Sequence, residues 1–464
     1  MIVRPSAVLR NIGLVLALVG FAAILPTGGG QPALAGPISV DEGQPASVKA
    51  TSAAASKLLT CGSIVDDVVK IPKDARETLS TCNLTVPEAG QIFVSANGSA
   101  GFDDAYARVL FRIKIDGSQK YETDRYMAVF DDTGDGSDAS VALSGLFPVA
   151  AGSHVVSFLG LHNSGSGTLR VYDPALTVLF IPGSGTDLLT CSDMDSTEFS
   201  TSSIDFVVMR TCTLTLPGDG WAFISADGSA LGTSTPSEAF EAAFTIGIDD
   251  TTGTDDATRW VDAYGVGLNG KDAVDRTIAL TMLKPVSAGR HTFNFVGRRT
   301  IGSSNIRVAS PSLSVIYMPA PGLHIASCGV LDRTPWTTTS PDFSVVRQCG
   351  LNLPEDSVAF IAADANLGLS VDPFEAHLRL GIDSTEGDGD TDRYVNVYPN
   401  SNDGTDDSAA VTVLKPVTAG NHTFYLLGRR ILGPGTILLR YATLTVIVPV
   451  SQANHQVYLP LVMR

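Results

Sequence analysis

Hydrophobic residues recur at every second position in many short stretches of the chain. Ala107, Val109, Phe111, Ile113 and Ile115 fall on one face of an extended strand, and Arg108, Arg112, Lys114 and Asp116 fall on the other. Two later stretches keep the rule, with Phe244, Ile246 and Ile248, then Leu378, Leu380 and Ile382, facing inward. This alternation predicts antiparallel sheet with one buried and one wet face. In the middle of the chain it predicts eight strands, over 188–191, 206–216, 221–226, 240–249, 259–266, 276–285, 291–297 and 306–318. Eight short strands without a helical stretch predict an all-β fold of two packed sheets. A jelly roll, with eight strands in two Greek keys, is the first choice, and an immunoglobulin-like sandwich is the alternative.

The pattern occurs three times. Cysteines stand at Cys61 and Cys82, Cys191 and Cys212, and Cys328 and Cys349, each pair 21 positions apart. From the first cysteine of each pair to a closing proline (Pro182, Pro319, Pro449) the copies span 121, 128 and 121 positions. Between these landmarks come "VPEAGQIFVSANGS", "LPGDGWAFISADGS" or "LPEDSVAFIAADAN", then a strand ending in Asp116, Asp249 or Asp383. An arginine-aromatic pair follows (Arg125-Tyr126, Arg259-Trp260, Arg393-Tyr394), and then "AGSHVVSFLG", "AGRHTFNFVG" or "AGNHTFYLLG". The chain therefore divides into three tandem antiparallel β-sandwich repeats over 57–182, 187–319 and 324–449, joined by short linkers. The equal spacing makes one disulfide per repeat the simplest pairing of the six cysteines, Cys61–Cys82, Cys191–Cys212 and Cys328–Cys349. No C-x2-C pair or histidine cluster supports zinc instead.

Composition places these repeats outside the cell. Residues 1–35 read as a secretory signal, with Arg4 and Arg10 ahead of an apolar run over 12–25 and a small-residue site at Ala33-Leu34-Ala35. Residues 36–56 read as a flexible leader and 450–464 as a separate C-terminal tail. The fourteen-residue run falls short of a bilayer span, an uncleaved anchor being the minority reading, and the mature chain offers no other transmembrane segment. Cleavage would leave 29 basic residues against 48 acidic ones, a net charge of −19, which opposes binding to nucleic acid or anionic lipid.

Candidate chemistry is sparse. His154, His291 and His422 open equivalent strands, but no recurrent serine or cysteine nucleophile accompanies them, so no catalytic residue is assigned. Arg298-Arg299 and Arg429-Arg430 align with Leu161-His162, so these arginines are not needed to build the repeat. They are candidates for an anion or ligand, against the plainer reading of structural ion pairs, in which one member of a pair meets the acidic loops and the other meets solvent. Those loops bring carboxylates together at Asp249, Asp250 and Asp255 and at Asp383, Asp388, Asp390 and Asp392. Calcium is the cofactor such oxygen-rich turns could hold, although none has the EF-hand spacing, and solvated turns with local Asx hydrogen bonds are the favoured reading. The arginine-aromatic pairs, with Trp221, Trp260 and Trp336, suit either sugar stacking or core packing.

In unit length, strand count, the "AGxHTFxFxG" strand and the closing "LTVIxxP" strand, the repeats resemble the tumour-necrosis-factor-like jelly-roll superfamily, whose domains assemble as trimers. The resemblance implies that three tandem copies form an intramolecular pseudo-trimer. Beads on a string is the alternative, and the sequence leaves both open. The tail "VYLPLVMR" resembles the YLPLV-type ends of exported Chloroflexota proteins, which implies sorting or surface attachment. Together these features predict an exported, non-enzymatic structural or adhesive protein of the cell surface or matrix. A carbohydrate- or calcium-dependent binding module with a glycan or protein ligand is the second reading, and a hydrolase is the third.

Overall fold

Each alternating stretch becomes a strand, and the three copies fold alike. The computed structural model describes residues 59–65, 67–102, 106–130, 139–165, 167–184, 188–231, 240–254, 257–263, 275–302, 304–319, 325–368, 374–397 and 407–449. The signal, leader and tail segments therefore lie outside the described residues. The first unit contains β1 (Leu59–Ile64), β2 (Val68–Pro72), β3 (Arg76–Val86), β4 (Gly90–Phe102), β5 (Tyr106–Ile115), β6 (Ser118–Phe130), β7 (Ala139–Val149), β8 (Gly152–Gly165) and β9 (Thr168–Pro182). In the second are β10 (Leu189–Met194), β11 (Phe199–Thr201), β12 (Val207–Leu216), β13 (Gly220–Ala230), β14 (Phe240–Ile248), β15 (Arg259–Ala263), β16 (Arg276–Val286), β17 (Gly289–Ile301) and β18 (Ile306–Pro319). The third holds β19 (Ile325–Leu331), β20 (Trp336–Thr338), β21 (Ser344–Leu353), β22 (Ser357–Gly368), β23 (Phe374–Ile382), β24 (Arg393–Val397), β25 (Asp407–Val417), β26 (Gly420–Leu432) and β27 (Ile437–Pro449).

Every unit is a sandwich of two antiparallel sheets. In the first, a five-stranded sheet runs β1-β9-β4-β7 with β2 also on β9, and a four-stranded sheet runs β3-β8-β5-β6. The other units repeat both orders. Apart from β1 with β2 and the β5–β6 hairpin, consecutive strands alternate between the two sheets, the arrangement of a jelly roll. The short strands β2, β11 and β20 were not evident from the sequence, because each continues the opening strand only after an irregular break. Inter-sheet disulfides Cys61–Cys82, Cys191–Cys212 and Cys328–Cys349 tie β1 to β3, β10 to β12 and β19 to β21.

The wet face expected of each sheet exists only on the four-stranded ones. On β3 the alternation is plain, with Leu84 and Val86 buried and Asn83 and Thr85 exposed. On β4, by contrast, Ile92, Val94 and Ala96 enter the unit's own core while Phe93 enters a second one. That second core combines Phe93, Leu146 and Ile181 of the first unit, Phe223, Leu283 and Met318 of the second, and Phe360 and Ile447 of the third. The three phenylalanines hold equivalent positions and meet edge to face, with ring centroids 5.3, 5.5 and 6.0 Å apart. A smaller layer of Ala142, Ala279 and Ala410, again equivalent, lies where β7, β16 and β25 converge. The five-stranded sheets therefore face one another around a pseudo-three-fold axis, so both of their faces are buried, the axial one carrying Ser95, Asn97 and Ser99 beside Phe93. All of this lies within one compact body, Ser52–Arg464. Among the described residues no helix is long and apolar enough to cross a membrane.

Candidate functional site

Among the described residues the largest fully buried side chains are arginines: Arg125, Arg259 and Arg393, the first members of the arginine-aromatic pairs. They lie on β6, β15 and β24, the edge strands of the four-stranded sheets, and each reaches into the next unit. Arg125 Nη2 donates to Asp227 of the second unit, Arg259 Nη2 to Asp364 of the third, and Arg393 Nη2 to Asn97 of the first. The third contact closes the ring. Asn97, Asp227 and Asp364 are equivalent residues on β4, β13 and β22, and all three are buried. Burial pulls the Arg125 and Arg259 guanidiniums down to about 9 and that of Arg393 to about 10, which still leaves them charged at neutral pH. Leaving a buried charge unpaired is costly, and main-chain carbonyls add to the pairing at Nη1: Asp124 O at 2.7 Å and Ser310 O at 2.8 Å from Arg125 Nη1.

Each acceptor is dressed according to its chemistry. Asp227 accepts from Ser144 and Ser312, and Asp364 accepts from Thr281 and Thr443. Ser312 and Thr443 are equivalent, and in the first unit their place is taken by Ala175. Asn97 needs no such donor, because its own Nδ2 donates to Thr412 O at 2.8 Å. The alignment shows this pairing only afterwards: a hydroxyl stands where the acid stands, and an alanine where the amide stands. Alongside, Tyr126 N donates to Ser229 Oγ and Tyr394 N to Ser99 Oγ, both at 2.8 Å, while Asn366 Nδ2 donates to Trp260 O at 2.7 Å.

The three histidines form a second repeated device. His154, His291 and His422 place Nδ1 at 2.7, 2.6 and 2.6 Å from the carboxylates of Asp116, Asp249 and Asp383. Their Nε2 atoms lie 2.9, 2.9 and 2.8 Å from the carbonyls of Ala150, Ser287 and Thr418. Both ring nitrogens face carboxylate or carbonyl oxygens, which only accept, so each N–H the imidazole carries there has an acceptor. The other carboxylate oxygen accepts the next backbone N–H, from Val155, Thr292 or Thr423. These aspartates adopt positive φ values of 49, 62 and 56°, a conformation that Asp tolerates better than most residues. Each His-Asp pair thus anchors a turn to the strand that crosses it. Sequence reasoning found both residues but did not join them.

The arginine pairs receive aromatic and carbonyl partners. Arg298 lies over the Phe206 ring at 4.5 Å and Arg429 over Phe343 at 4.4 Å. Arg299 Nη1 donates to Ser304 O, and Arg430 Nη1 to the carbonyls of Pro434 and Gly435. Arg429 Nε also donates at 3.0 Å to Nδ1 of the buried His377, whose Nε2 meets Asp392 at 2.9 Å. At the position of Phe206 and Phe343 the first unit has Arg76, and at that of Arg298 and Arg429 it has Leu161.

The acidic positions do not converge on one point. Asp249 and Asp383 hold the histidines, and Asp250 caps its own turn through Thr252 N and Gly253 N. Lys415 Nζ lies 3.3 Å from Asp388 and 2.6 Å from Asp390, while Asp392 receives Arg379 in a two-bonded contact at 2.5 and 2.7 Å. Asp255 lies outside the described residues. Among the described residues there is no group of three or more His, Cys, Asp and Glu side chains arranged to hold a metal ion. Of the candidate sugar-stacking aromatics, Trp260 packs on Tyr441 with centroids 5.0 Å apart, Tyr394 stacks on His377 at 4.4 Å, and Trp221 and Trp336 lie against hydrophobic cores.

No protein-family model matches the chain, and no curated protein matches it. Among solved structures, it is similar to PNGF-II at 8% identity over 76% of this chain and 99% of that chain, with a TM-score of 0.24. The structure of Sulfolobus turreted icosahedral virus gives 11% identity over 85% and 91%, with a TM-score of 0.18. For the VP2 subviral particle of infectious bursal disease virus the values are 10% identity over 88% and 83%, with a TM-score of 0.21. Superpositions this loose do not bear on function.

Proposed function

We propose that the protein is an exported, non-enzymatic structural or adhesive component of the cell surface or extracellular matrix, whose body is a single-chain pseudo-trimer of jelly rolls. The observation that carries this reading is the closed cycle of buried contacts, Arg125 to Asp227, Arg259 to Asp364 and Arg393 to Asn97. Such a cycle fixes three related outer sheets in a rigid array, which suits multivalent display rather than turnover. The groups that could have served catalysis are engaged in holding the fold: the imidazoles by carboxylate and carbonyl, Asp392 by Arg379 and His377. One disulfide per unit suits an oxidising compartment.

The test is protease shaving and fractionation of cells that produce the full chain, with and without residues 457–464, followed by binding of the purified protein to cell walls and to a glycan array. Recovery in the surface or matrix fraction with retention on cell walls is expected, and residence in the cytoplasm would overturn the reading. Selective binding to one glycan would favour the second reading, a carbohydrate-dependent binding module. Loss of surface retention in the shortened chain would assign attachment to the tail.

A further inference from the structure

The strand that opens each unit has two faces with different allegiances. On β1, Cys61 points into its own unit and bonds Cys82 of β3. Because side chains alternate along a strand, Gly62 and Ile64 point the other way. Ile64 packs against the core of the third unit rather than its own. The equivalent residues behave in the same manner, each standing three positions after the first cysteine of its unit: Met194 on β10 packs against the core of the first unit, and Leu331 on β19 against that of the second. One position after the cysteine the approach to the neighbouring unit is close, and two units have glycine there. A Cβ at Gly62 would lie 3.2 Å from Leu414 of β25, and one at Gly329 would lie 3.1 Å from Leu283 of β16. In the remaining junction a Cβ at Gly145 of β7 would meet Met194 Sδ at 3.0 Å.

We infer that each disulfide acts beyond its own sandwich: it holds in place the strand that anchors its unit to the preceding one, so the three bonds together keep the ring closed. The strands concerned are edge strands of the five-stranded sheets, paired on one side only, by β9, β18 and β27. Besides those ladders, their drift from the axis is opposed by the covalent tie to β3, β12 or β21 on one face and by the apolar anchor on the other. Removing the tie therefore loosens the neighbouring unit's strand, which contains no cysteine.

Hydrogen exchange measured by mass spectrometry on the full chain tests this. In Cys328→Ala/Cys349→Ala, β16 of the second unit is expected to exchange about tenfold faster than in the parent, while β7 of the first unit keeps its rate. Leu331→Ala leaves the disulfide intact and cuts only the anchor, so it guards against a cysteine variant that fails to fold. It is expected to accelerate β16 in the same way and to leave β21 as protected as before. Acceleration confined to the third unit in the cysteine variant, or an unchanged β16 in Leu331→Ala, would overturn the inference.

Discussion

Arg393 Nε donates to Asn97 Oδ1 at 3.0 Å across 296 positions of sequence, joining the third unit to the first. At the other two junctions the same position is an aspartate. This asymmetry is matched at a second position, because Ala175 replaces the hydroxyl residues Ser312 and Thr443 that bond the aspartates. A carboxylate at 97 would lose the bond to Thr412 O and present an oxygen with no donor, whereas a hydroxyl at 175 would supply one. Asn97→Asp is therefore predicted to be rescued by Ala175→Ser, with a coupling of about 1 kcal/mol in a double-mutant cycle, while Ala175→Ser alone adds no stability. Urea unfolding of the four proteins measures this; additivity would contradict it.

Arg259 and Asp364 are both buried and bonded across the junction of the second and third units. Truncation of one partner leaves the other charge stranded, so Arg259→Ala is predicted to cost about 3–5 kcal/mol. Replacing both, as Arg259→Met with Asp364→Leu, is predicted to recover most of that loss, because the apolar pair removes both desolvation costs. Thermal unfolding of the single and double variants compares them directly.

The histidine turns predict a pH dependence of definite sign. The Asp116 carboxylate and the Ala150 carbonyl raise the affinity of His154 for its proton. At His422 burial opposes the charge, but Asp383 and Thr418 outweigh it and the result is again upward. With folded values above an unfolded value of about 6.5, the stabilisation is complete below about pH 6.5 and disappears as pH rises through the folded values. Asp116 is shifted downward, since the bonds from His154 and Val155 N outweigh burial. Its contribution is accordingly present above the unfolded carboxylate value of about 3.9 and is lost as pH falls through the lower folded one. Melting temperatures between pH 6 and 9 are predicted to fall in the parent and to fall less in His154→Gln/His422→Gln.

The acidic loops predict indifference to calcium. Lys415 already pairs with Asp388 and Asp390, and Arg379 with Asp392. An ion would have to displace these cations before binding. Addition of 1 mM calcium, roughly ten to a thousand times what would saturate sensor-grade sites, is predicted to leave the melting temperature unchanged. A rise would place an ion on the folded protein.

Much of the architecture was legible because it is local. Alternation on β5, β14 and β23 identified the core faces, and the constant cysteine spacing identified the staples. The junction was illegible for a physical reason: the burial of Arg125, Arg259 and Arg393 comes from a neighbouring unit, and their acceptors stand more than a hundred positions away. Period-2 reasoning also assigns one face of a strand to solvent, so Phe93, Phe223 and Phe360 gave no sign of belonging to a separate axial core. The arginine pairs remained open for a similar reason, since Phe206 and Phe343 approach them through the fold rather than along the chain. What the sequence did contain, unnoticed, was the matched exchange of Asp with hydroxyl for Asn with alanine.

The central claim is that one chain closes into a three-fold body. Small-angle X-ray scattering on the monomeric protein tests it most directly. A compact body of this length is predicted to have a radius of gyration of about 22 Å, whereas three separate units in a row would give about 34 Å. A monomer near the smaller value, with a shape envelope of three lobes about one axis, is the expected result. An elongated particle near the larger value would contradict the account.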